Sequence, residues 1–286
     1  MPKPVMRAEA EHLASKFPPL RLAARRLAAT VRQGAHGRRR SGAGEAFWQF
    51  RPYQSFDTAL AVDWRQSAKR GQVYVRQREW QTAQTVWLWR NGSASMAYAS
   101  APALPTKQAR ADLLVLALAS LLAAGDEAVG LLGARARAGA GAVDAVAEGL
   151  DHPSGAATPP RSAVARGGQV VLVSDFLAAP EQTAADVAAL AAAGAEGHLV
   201  HIIDPAEADF PFAGRVRFEG MADESAHVVD QADAIADAYR QRWRARRAAL
   251  GDIARRHGWG VLHHLTDSPP ETALLNLYTH LTETVR

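Results

Sequence analysis

The feature that most constrains the fold is an unbroken apolar segment, VVLV at 170–173, inside the longer run GQVVLVSDF. Strands with apolar side chains on both faces are typical of parallel sheets that helices cover on both sides. Apolar, strand-like segments alternate with helix-like segments from residue 84 to the end of the chain. This alternation predicts an α/β domain with a Rossmann-like, mostly parallel sheet and helices on both faces.

The same pattern predicts where the strands and helices lie. Strands are predicted at 84–89, 126–133, 168–176, 197–204 and 259–265. Helices are predicted at 107–125, 142–150, 180–194, 230–258 and 269–285. Residues 205–229 show no clear period, so we expect an irregular segment there with a short ribbon at an edge.

The chain before residue 83 differs in composition from the rest. Residues 5–33 are predicted to form two short helices, broken at Pro18-Pro19 because proline cannot continue a helix. The Gly- and Arg-rich segment that follows, at 36–45, is predicted to be an irregular connector. The expected organisation is an N-terminal helical segment at 1–35, a small β-rich subdomain at 36–82 and an α/β domain at 83–286.

The predicted subdomain is dense in aromatic residues, β-branched residues and opposite charges. We expect tryptophans to hold it together, with arginines paired to carboxylates in specific bidentate geometry. The residues that carry this expectation are Trp48, Trp64, Trp80, Arg51, Arg65, Arg76, Asp57, Asp63 and Glu79.

Composition excludes several kinds of protein. Hydrophobic residues make up 48% of the 286 residues and charged residues 22%, which is typical of a globular chain. Cysteine is absent, which excludes disulfides, thiolate metal sites and cysteine nucleophiles. The N-terminal sequence lacks the pattern of a signal peptide, and the longest apolar run, 113–125, is shorter than the roughly 20 residues that span a bilayer. We therefore expect a cytoplasmic protein.

The net charge of +4 is unevenly distributed. Arginines cluster in the acid-free stretch 12–44 and again at 240–247, on a predicted helix. Such clusters can bind nucleic acid or an acidic surface. Neither cluster is interleaved with aromatic residues or accompanied by a nucleic-acid motif, so solvated helix faces are the favoured interpretation.

A serine-rich turn follows the first predicted strand of the α/β domain. The sequence NGSAS places Asn91, Ser93 and Ser95 at the spacing of a D-x-S-x-S metal loop, with asparagine in the first position. Asp175 follows a later strand, and Thr158 precedes that strand. Ligands of open parallel sheets bind beyond the carboxyl ends of the strands, and Mg²⁺ prefers such hard oxygen ligands. The sequence therefore predicts that a site of some kind lies at this edge.

This order of residues resembles the von Willebrand factor A domain and its metal-ion-dependent adhesion site. The upstream strings FWQFR, VDWRQSA and VR-x-REW are more specific and resemble the bacterial domain-of-unknown-function family fifty-eight. The resemblance extends over essentially the whole chain. It implies a small β-rich region followed by a von Willebrand factor A-like sheet, and a MoxR-type AAA+ ATPase as partner, because family members are commonly encoded beside one.

The chain departs from the family pattern at Phe56, at Gln77 and, most importantly, at Asn91, where an aspartate is expected. Asparagine keeps a carbonyl oxygen but removes one negative charge, so attraction to a dication falls. The resemblance implies a degenerate site for Mg²⁺ or Mn²⁺. Its ligands would be Asn91, Ser93, Ser95, Thr158 and Asp175. The favoured alternative is a hydrogen-bonded turn without metal.

The function that these observations favour is a non-enzymatic interaction or adaptor protein acting with the ATPase in protein assembly or maturation. A hydrolase that uses Ser93 or Ser95 is an alternative, as is a basic nucleic-acid-binding protein. The sequence contains no G-x-S-x-G elbow, no G-x-x-x-x-G-K-[ST] loop and no H-E-x-x-H motif. We therefore expect no enzymatic activity.

Overall fold

The computed structural model describes the chain with several gaps. The described residues are 3–18, 46–53, 62, 64–79, 84–151, 155–160, 164, 167–221 and 225–283. The chain divides into two compact units, one formed by Met1–Leu22 with Gln84–Arg286 and the other by Ala23–Ala83. The predicted boundaries at 35 and 82 stay a prediction.

Helices and strands alternate along most of the chain. The helices are α1 (Lys3–Ser15), α2 (Trp64–Arg70), α3 (Lys107–Ala124), α4 (Ala140–Asp151), α5 (Pro180–Ala192), α6 (Pro205–Asp209), α7 (Ala232–Arg256) and α8 (Pro270–Glu283). The strands are β1 (Ala46–Pro52), β2 (Tyr74–Glu79), β3 (Thr85–Arg90), β4 (Ala128–Leu131), β5 (Gln169–Ser174), β6 (Glu196–Ile203), β7 (Val216–Phe218), β8 (His227–Val229) and β9 (Gly260–Leu265).

Five strands of the larger unit form one sheet in the order β4-β3-β5-β6-β9, and every neighbouring pair is parallel. The chain leaves β3 toward β4, then crosses back to β5 on the other side of β3. This is the 2-1-3-4-5 order of doubly wound sheets, and the strand order reverses between β3 and β5. The carboxyl ends of these two strands are therefore the place where the fold favours a site.

Helices cover both faces of the sheet, as the apolar strands predict. One core cluster joins α1, α3, α4 and α8 to the sheet, and the other joins α5 and α7 to the opposite face. Every residue of β5 is buried, because both faces of this central strand are covered. Within the described ranges, no helix combines the length and apolar character needed to cross a membrane.

The segment after β6 is more regular than the sequence pattern predicts. The carboxylate of Asp204 accepts the backbone N–H of Ala206, and Glu207 accepts the backbone N–H of Asp204, so a capping box begins α6 with Pro205 in its first turn. Asp, Pro and Glu at these spacings signal the start of a helix. The segment has no clear hydrophobic period, so periodicity alone did not predict this helix. The predicted edge ribbon is β7 and β8, which pair only with each other rather than with the main sheet.

In the smaller unit, β1 and β2 form an antiparallel pair, and α2 lies between them in sequence. Trp48, Arg51, Arg76 and Glu79 lie on these strands, with Phe50 opposite Arg76. Asp57, Asp63 and Trp80 lie outside the described residues. Arg65 is exposed, and Trp64 is 68% exposed. The expectation that Trp64 packs inside is therefore wrong, because it begins α2 rather than lying in either strand.

Candidate functional site

Two polar residues meet where the strand order reverses. Asn91 directly follows β3 and is 4% exposed, and Asp175 directly follows β5 and is 1% exposed. The backbone N–H of Asn91 donates to the carbonyl oxygen of Val173 at 2.9 Å, which continues the pairing of the two strands beyond their ends. The sheet itself thus sets the distance between these two side chains.

The amide of Asn91 has a fixed orientation. Its Nδ2 donates to Ser174 Oγ at 3.0 Å and to Asp175 Oδ1 at 3.2 Å, while its Oδ1 accepts the backbone N–H of Ser93 at 2.8 Å. The reversed amide would place a carbonyl oxygen against a carboxylate and an NH₂ group against an N–H donor. Asn91 therefore presents hydrogen-bond donors, rather than its oxygen, to Asp175.

The serines of the loop pair with each other. Ser93 Oγ and Ser95 Oγ lie 2.9 Å apart, and Ser95 lies in a short 3-10 turn at Ala94–Ala97. The loop also approaches the segment 155–160 closely, because a Cβ on Gly92 would lie 3.2 Å from the backbone nitrogen of Gly155. Glycine at position 92 thus lets the two backbones meet, with the N–H of Gly92 donating to the carbonyl of Ala156 at 3.1 Å.

A lysine completes the buried network. Lys107 is the first residue of α3 and is 1% exposed. Its Nζ donates to Asp175 Oδ2 at 3.0 Å and to Glu207 Oε1 at 2.5 Å, and it lies over the ring of Tyr98, 5.8 Å from the ring centroid. One ammonium therefore connects β5, α3 and α6 with two charge-assisted hydrogen bonds.

Burial dominates the electrostatics around this ammonium. The pKa of Glu207 is raised because burial disfavours its charged form, although Lys107 and the N–H of Asp204 act in the opposite direction. Burial raises the pKa of Tyr239 to about 12, and its hydroxyl donates to the carbonyl of Glu207 at 2.9 Å. Burial likewise raises the pKa of Tyr98, with Asp204 and Glu207 adding to the effect.

A pocket of about 210 Å³ lies against this network. Its walls are mainly apolar, and the serine loop and the end of β5 form a polar side. The lining residues are Trp89, Asn91, Ser93, Ser95, Ala157, Pro159, Leu172, Ser174, Asp175, Phe176, Leu177, Ala178, Thr183, Asp186 and Val187. An apolar pocket with a few convergent polar groups is the usual form of a binding site.

A strained loop forms one wall of the pocket. Phe176 has φ 45°, a left-handed conformation that is unfavourable for a bulky side chain. Arg246 of α7 holds this loop: its Nε donates to the carbonyl of Phe176 at 3.1 Å, and its terminal nitrogen contacts the carbonyls of Leu177 and Ala178. Helix α7 thus sets the shape of the wall from the far side of the loop.

Comparison with known proteins identifies the family of the chain. Residues 49–249, well over half of the sequence, match the DUF58 family, which is described as a protein of unknown function. The chain belongs to the DUF58 family. This confirms the resemblance seen in the strings around β1, α2 and β2. No curated protein matches the chain.

Solved structures similar to this DUF58 chain are distant from it in sequence. One is the crystal structure of an aerotolerance-related membrane protein from Bacteroides fragilis NCTC 9343 with multiple mutations to serines. It has 16% identity and a TM-score of 0.42, and the match covers 70% of this chain and 100% of that chain. Another is the conserved hypothetical protein BatB from Bacteroides thetaiotaomicron, with 14% identity, a TM-score of 0.43, and coverage of 71% of this chain and 98% of that chain.

The residues of this DUF58 chain do not fit a divalent cation at the predicted site. Asp175 already accepts hydrogen bonds on both oxygens, from Asn91 on one side and Lys107 on the other. Asn91 directs N–H donors toward the carboxylate, and a dication bound there would lie close to a buried ammonium of like charge. Among the described residues, no group of three or more His, Asp or Glu side chains is arranged to hold a metal.

The structure brings together four of the five predicted site residues. Asn91, Ser93, Ser95 and Asp175 line the pocket, whereas Thr158 is exposed and does not line it. The prediction omitted Lys107 and Glu207, which lie at the centre of the network. A lysine in the first turn of a helix interacts unfavourably with the helix dipole. This unfavourable position is the sequence signal that could have identified Lys107 as a site residue.

The hydrolase alternative would use Ser93 or Ser95 as its nucleophile. No histidine is present among the described residues that line the pocket, and Ser93 Oγ pairs with Ser95 Oγ. A serine nucleophile needs an adjacent general base to become reactive. The carboxylates among the described lining residues are Asp175 and Asp186, and Asp175 is already paired with Lys107.

Proposed function

We propose that this DUF58 chain is a non-enzymatic protein-interaction module that binds its partner at the carboxyl edge of a von Willebrand factor A-like sheet. The partner that the family resemblance favours is a MoxR-type AAA+ ATPase acting in protein assembly or maturation. The observation that carries the proposal is the pocket at the strand-order reversal, whose polar side is already hydrogen-bonded and whose two serines pair with each other.

The pocket is suited to a side chain of a protein partner. Its volume of about 210 Å³ lies below the roughly 300–1,000 Å³ of small-molecule sites and is large enough for one apolar or aromatic anchor. Trp89, Leu172 and Val187 supply apolar contact, while the Ser93 and Ser95 hydroxyls provide hydrogen bonds at the polar side. A single buried anchor with polar groups around it is a common pattern of protein interfaces.

The walls of the pocket are fixed before a partner arrives. Arg246 holds the loop Phe176–Ala178, and Asn91 ties the serine loop to the end of β5. A pre-organised surface loses little conformational entropy on binding. The site is a degenerate form of a metal-ion-dependent adhesion site under this proposal, and the partner contacts the protein surface rather than a bound metal.

The test is binding of the purified chain to a purified MoxR-type ATPase from the same organism, by calorimetry, with Mg²⁺ in one arm and a chelator in the other. A tagged pull-down from native lysate identifies the ATPase first. Filling the pocket mouth with Ala157→Trp should weaken binding by roughly tenfold or more, since one blocked anchor costs more than about 1.4 kcal/mol. The matched control is Ala248→Trp on the exposed surface of α7, which should bind as the unaltered protein does.

Two results would contradict the proposal. Equal affinity of Ala157→Trp and the unaltered protein would show that the partner uses another face. Absence of binding by the unaltered protein to the ATPase, in both arms, would remove the proposed partner.

A further inference from the structure

The side chain of Lys107 lies where a bound cation would be expected to neutralise the carboxylates of this site. Its Nζ is the shared donor to Asp175 and Glu207, which come from the end of β5 and from α6. The lysine side chain is 1% exposed, and so is that of Asp175. Buried carboxylates need a paired cation, and here the chain itself supplies it.

The charges of the site agree with Lys107 supplying the cation for these carboxylates. Asparagine at position 91 leaves Asp175 without a second carboxylate at the end of β3, so the site has one negative charge fewer than a D-x-S-x-S loop would give it. The ammonium of Lys107 adds one positive charge at the same place. A monovalent cation between two carboxylates needs fewer negative ligands than a dication does, which makes the asparagine and the lysine mutually consistent.

The choice of lysine is itself informative. Lysine occurs only at positions 3, 16, 69 and 107, whereas Lys and Arg together number 33, so arginine is this chain's usual basic residue. Arginine carries a planar fork of donors, whereas lysine carries a compact point charge that donates in three directions. A compact ammonium is the group that suits a small space between two converging carboxylates.

The position of Lys107 in its helix also indicates that the site holds this lysine in place. It is the first residue of α3, and no acidic residue lies in the first turn of that helix. A cation at a helix N-terminus is unfavourable because the helix dipole is positive there. The tertiary contacts to Asp175 and Glu207 offset this cost, so the lysine is held in place by the site rather than by its own helix.

We infer that the ammonium of Lys107 is the resident cation of this site and keeps the carboxyl edge of the sheet assembled without a metal ion. It joins the loop after β5, the start of α3 and the start of α6, while Asn91 adds the loop after β3. Partner binding at this face is then independent of Mg²⁺. That last consequence rests on the proposed function, whereas the role of the lysine is tested without a partner.

The first experiment is calorimetric titration with MgCl₂ and with MnCl₂ of four proteins: the unaltered chain, Asn91→Asp, Lys107→Ala and Asn91→Asp/Lys107→Ala. The unaltered chain should show no binding. The double variant should bind either metal roughly tenfold more tightly, or better, than either single variant does, since it differs from each by one further charge change worth more than about 1.4 kcal/mol. Lys16→Ala, at an exposed pair, is the control and should behave as the unaltered chain.

The second experiment needs no variant. The folded chain is treated with an amine-acetylating reagent, and the extent of reaction at each lysine is read by mass spectrometry. Lys107 should stay unmodified while the exposed Lys16 reacts, and millimolar Mg²⁺ should leave this pattern unchanged.

Either of two results overturns the inference: metal binding by the unaltered chain, or a Mg²⁺-induced increase in the reaction of Lys107. Both are read on the isolated chain. A failure of the ATPase to bind would instead count against the proposed function and leave the role of the lysine as it stands.

Discussion

Among the described residues, lysine pairs with glutamate once on the surface and once beneath the carboxyl edge of the sheet. Lys16 Nζ lies 2.7 Å from Glu271 Oε1, and Lys107 Nζ lies 2.5 Å from Glu207 Oε1. The side chains of the first pair are 43% and 40% exposed, whereas those of the second are 1% and 15% exposed. The chemistry and the distances are nearly the same, and the surroundings are not.

Burial, rather than the distance between the charges, determines how much stability is lost when a pair is broken. Water solvates Lys16 and Glu271 whether or not they touch, so the pair contributes little. Lys107 has a second partner in Asp175, and removing the lysine would leave two carboxylates without water or a cation. Substitutions at the two lysines therefore separate the effect of burial from the effect of distance.

Lys107→Met should lower the free energy of unfolding by about 3–5 kcal/mol, because it leaves buried carboxylates unpaired. The loss should be smaller at about pH 5 than near pH 7, because a carboxyl that lacks its cation can take up a proton instead. Urea denaturation followed by tryptophan fluorescence at both pH values measures this.

The rescue variant is Lys107→Met/Glu207→Gln, which removes one of the two stranded charges and should recover part of the loss. A loss below about 1 kcal/mol for Lys107→Met would show that the buried pair behaves like a surface pair.

Lys107→Arg keeps the charge but replaces a compact ammonium by a wider planar group. We expect a loss of about 1–3 kcal/mol, the usual cost of placing extra volume in a packed site. The same urea experiment measures it. A variant as stable as the unaltered chain would mean that the site accepts any cation, which would contradict the argument from the choice of lysine.

His201 is a buried base whose hydrogen-bond partner among the described residues is His263 rather than a carboxylate. Burial, with smaller contributions from His263, Arg247, Lys107 and Arg246, lowers its pKa to about 3. Below about pH 6.5 the unfolded chain takes up a proton at this residue and the folded chain does not, so stability falls by about 1.4 kcal/mol per pH unit as the pH decreases toward 3.

His201→Gln should remove that share of the acid sensitivity and flatten the dependence of stability on pH between about 6.5 and 4. The comparison is made with Lys107→Met, whose loss of stability relative to the unaltered chain should shrink, rather than grow, as the pH falls. An unchanged slope in His201→Gln would mean that His201 is protonated in the folded chain.

The parallel sheet could be predicted from the sequence because a strand buried on both faces, such as β5, is a continuous run of apolar residues. The predicted helix at 180–194 corresponds to α5, Pro180–Ala192, since a proline at the start and glycine after the end are local signals too. The meeting of Asn91 with Asp175 followed from the same logic, because both residues come directly after strands of one parallel sheet.

The rest of the site depends on contacts between distant parts of the chain. Lys107 lies 68 residues from Asp175 and 100 residues from Glu207 in sequence, so no local pattern links them. Trp64 shows that residue type alone can also mislead. An aromatic residue is typical of a core, but whether it is buried depends on the element in which it lies. Thr158 was predicted as a ligand only from its position before a strand, and it does not line the pocket.

Lys16→Ala should have the smallest effect, a loss of less than about 1 kcal/mol that shrinks further with added salt. Lys16 Nζ donates to Glu271 Oε1 at 2.7 Å, and this hydrogen bond lowers the pKa of Glu271, yet solvent replaces the lysine readily once it is removed. The same urea denaturation, at low and at high salt, gives the comparison with Lys107→Met on one scale. If Lys16→Ala cost as much as Lys107→Met, the docking of α1 near the start of α8 would depend on this contact, and burial would not be what separates the two pairs.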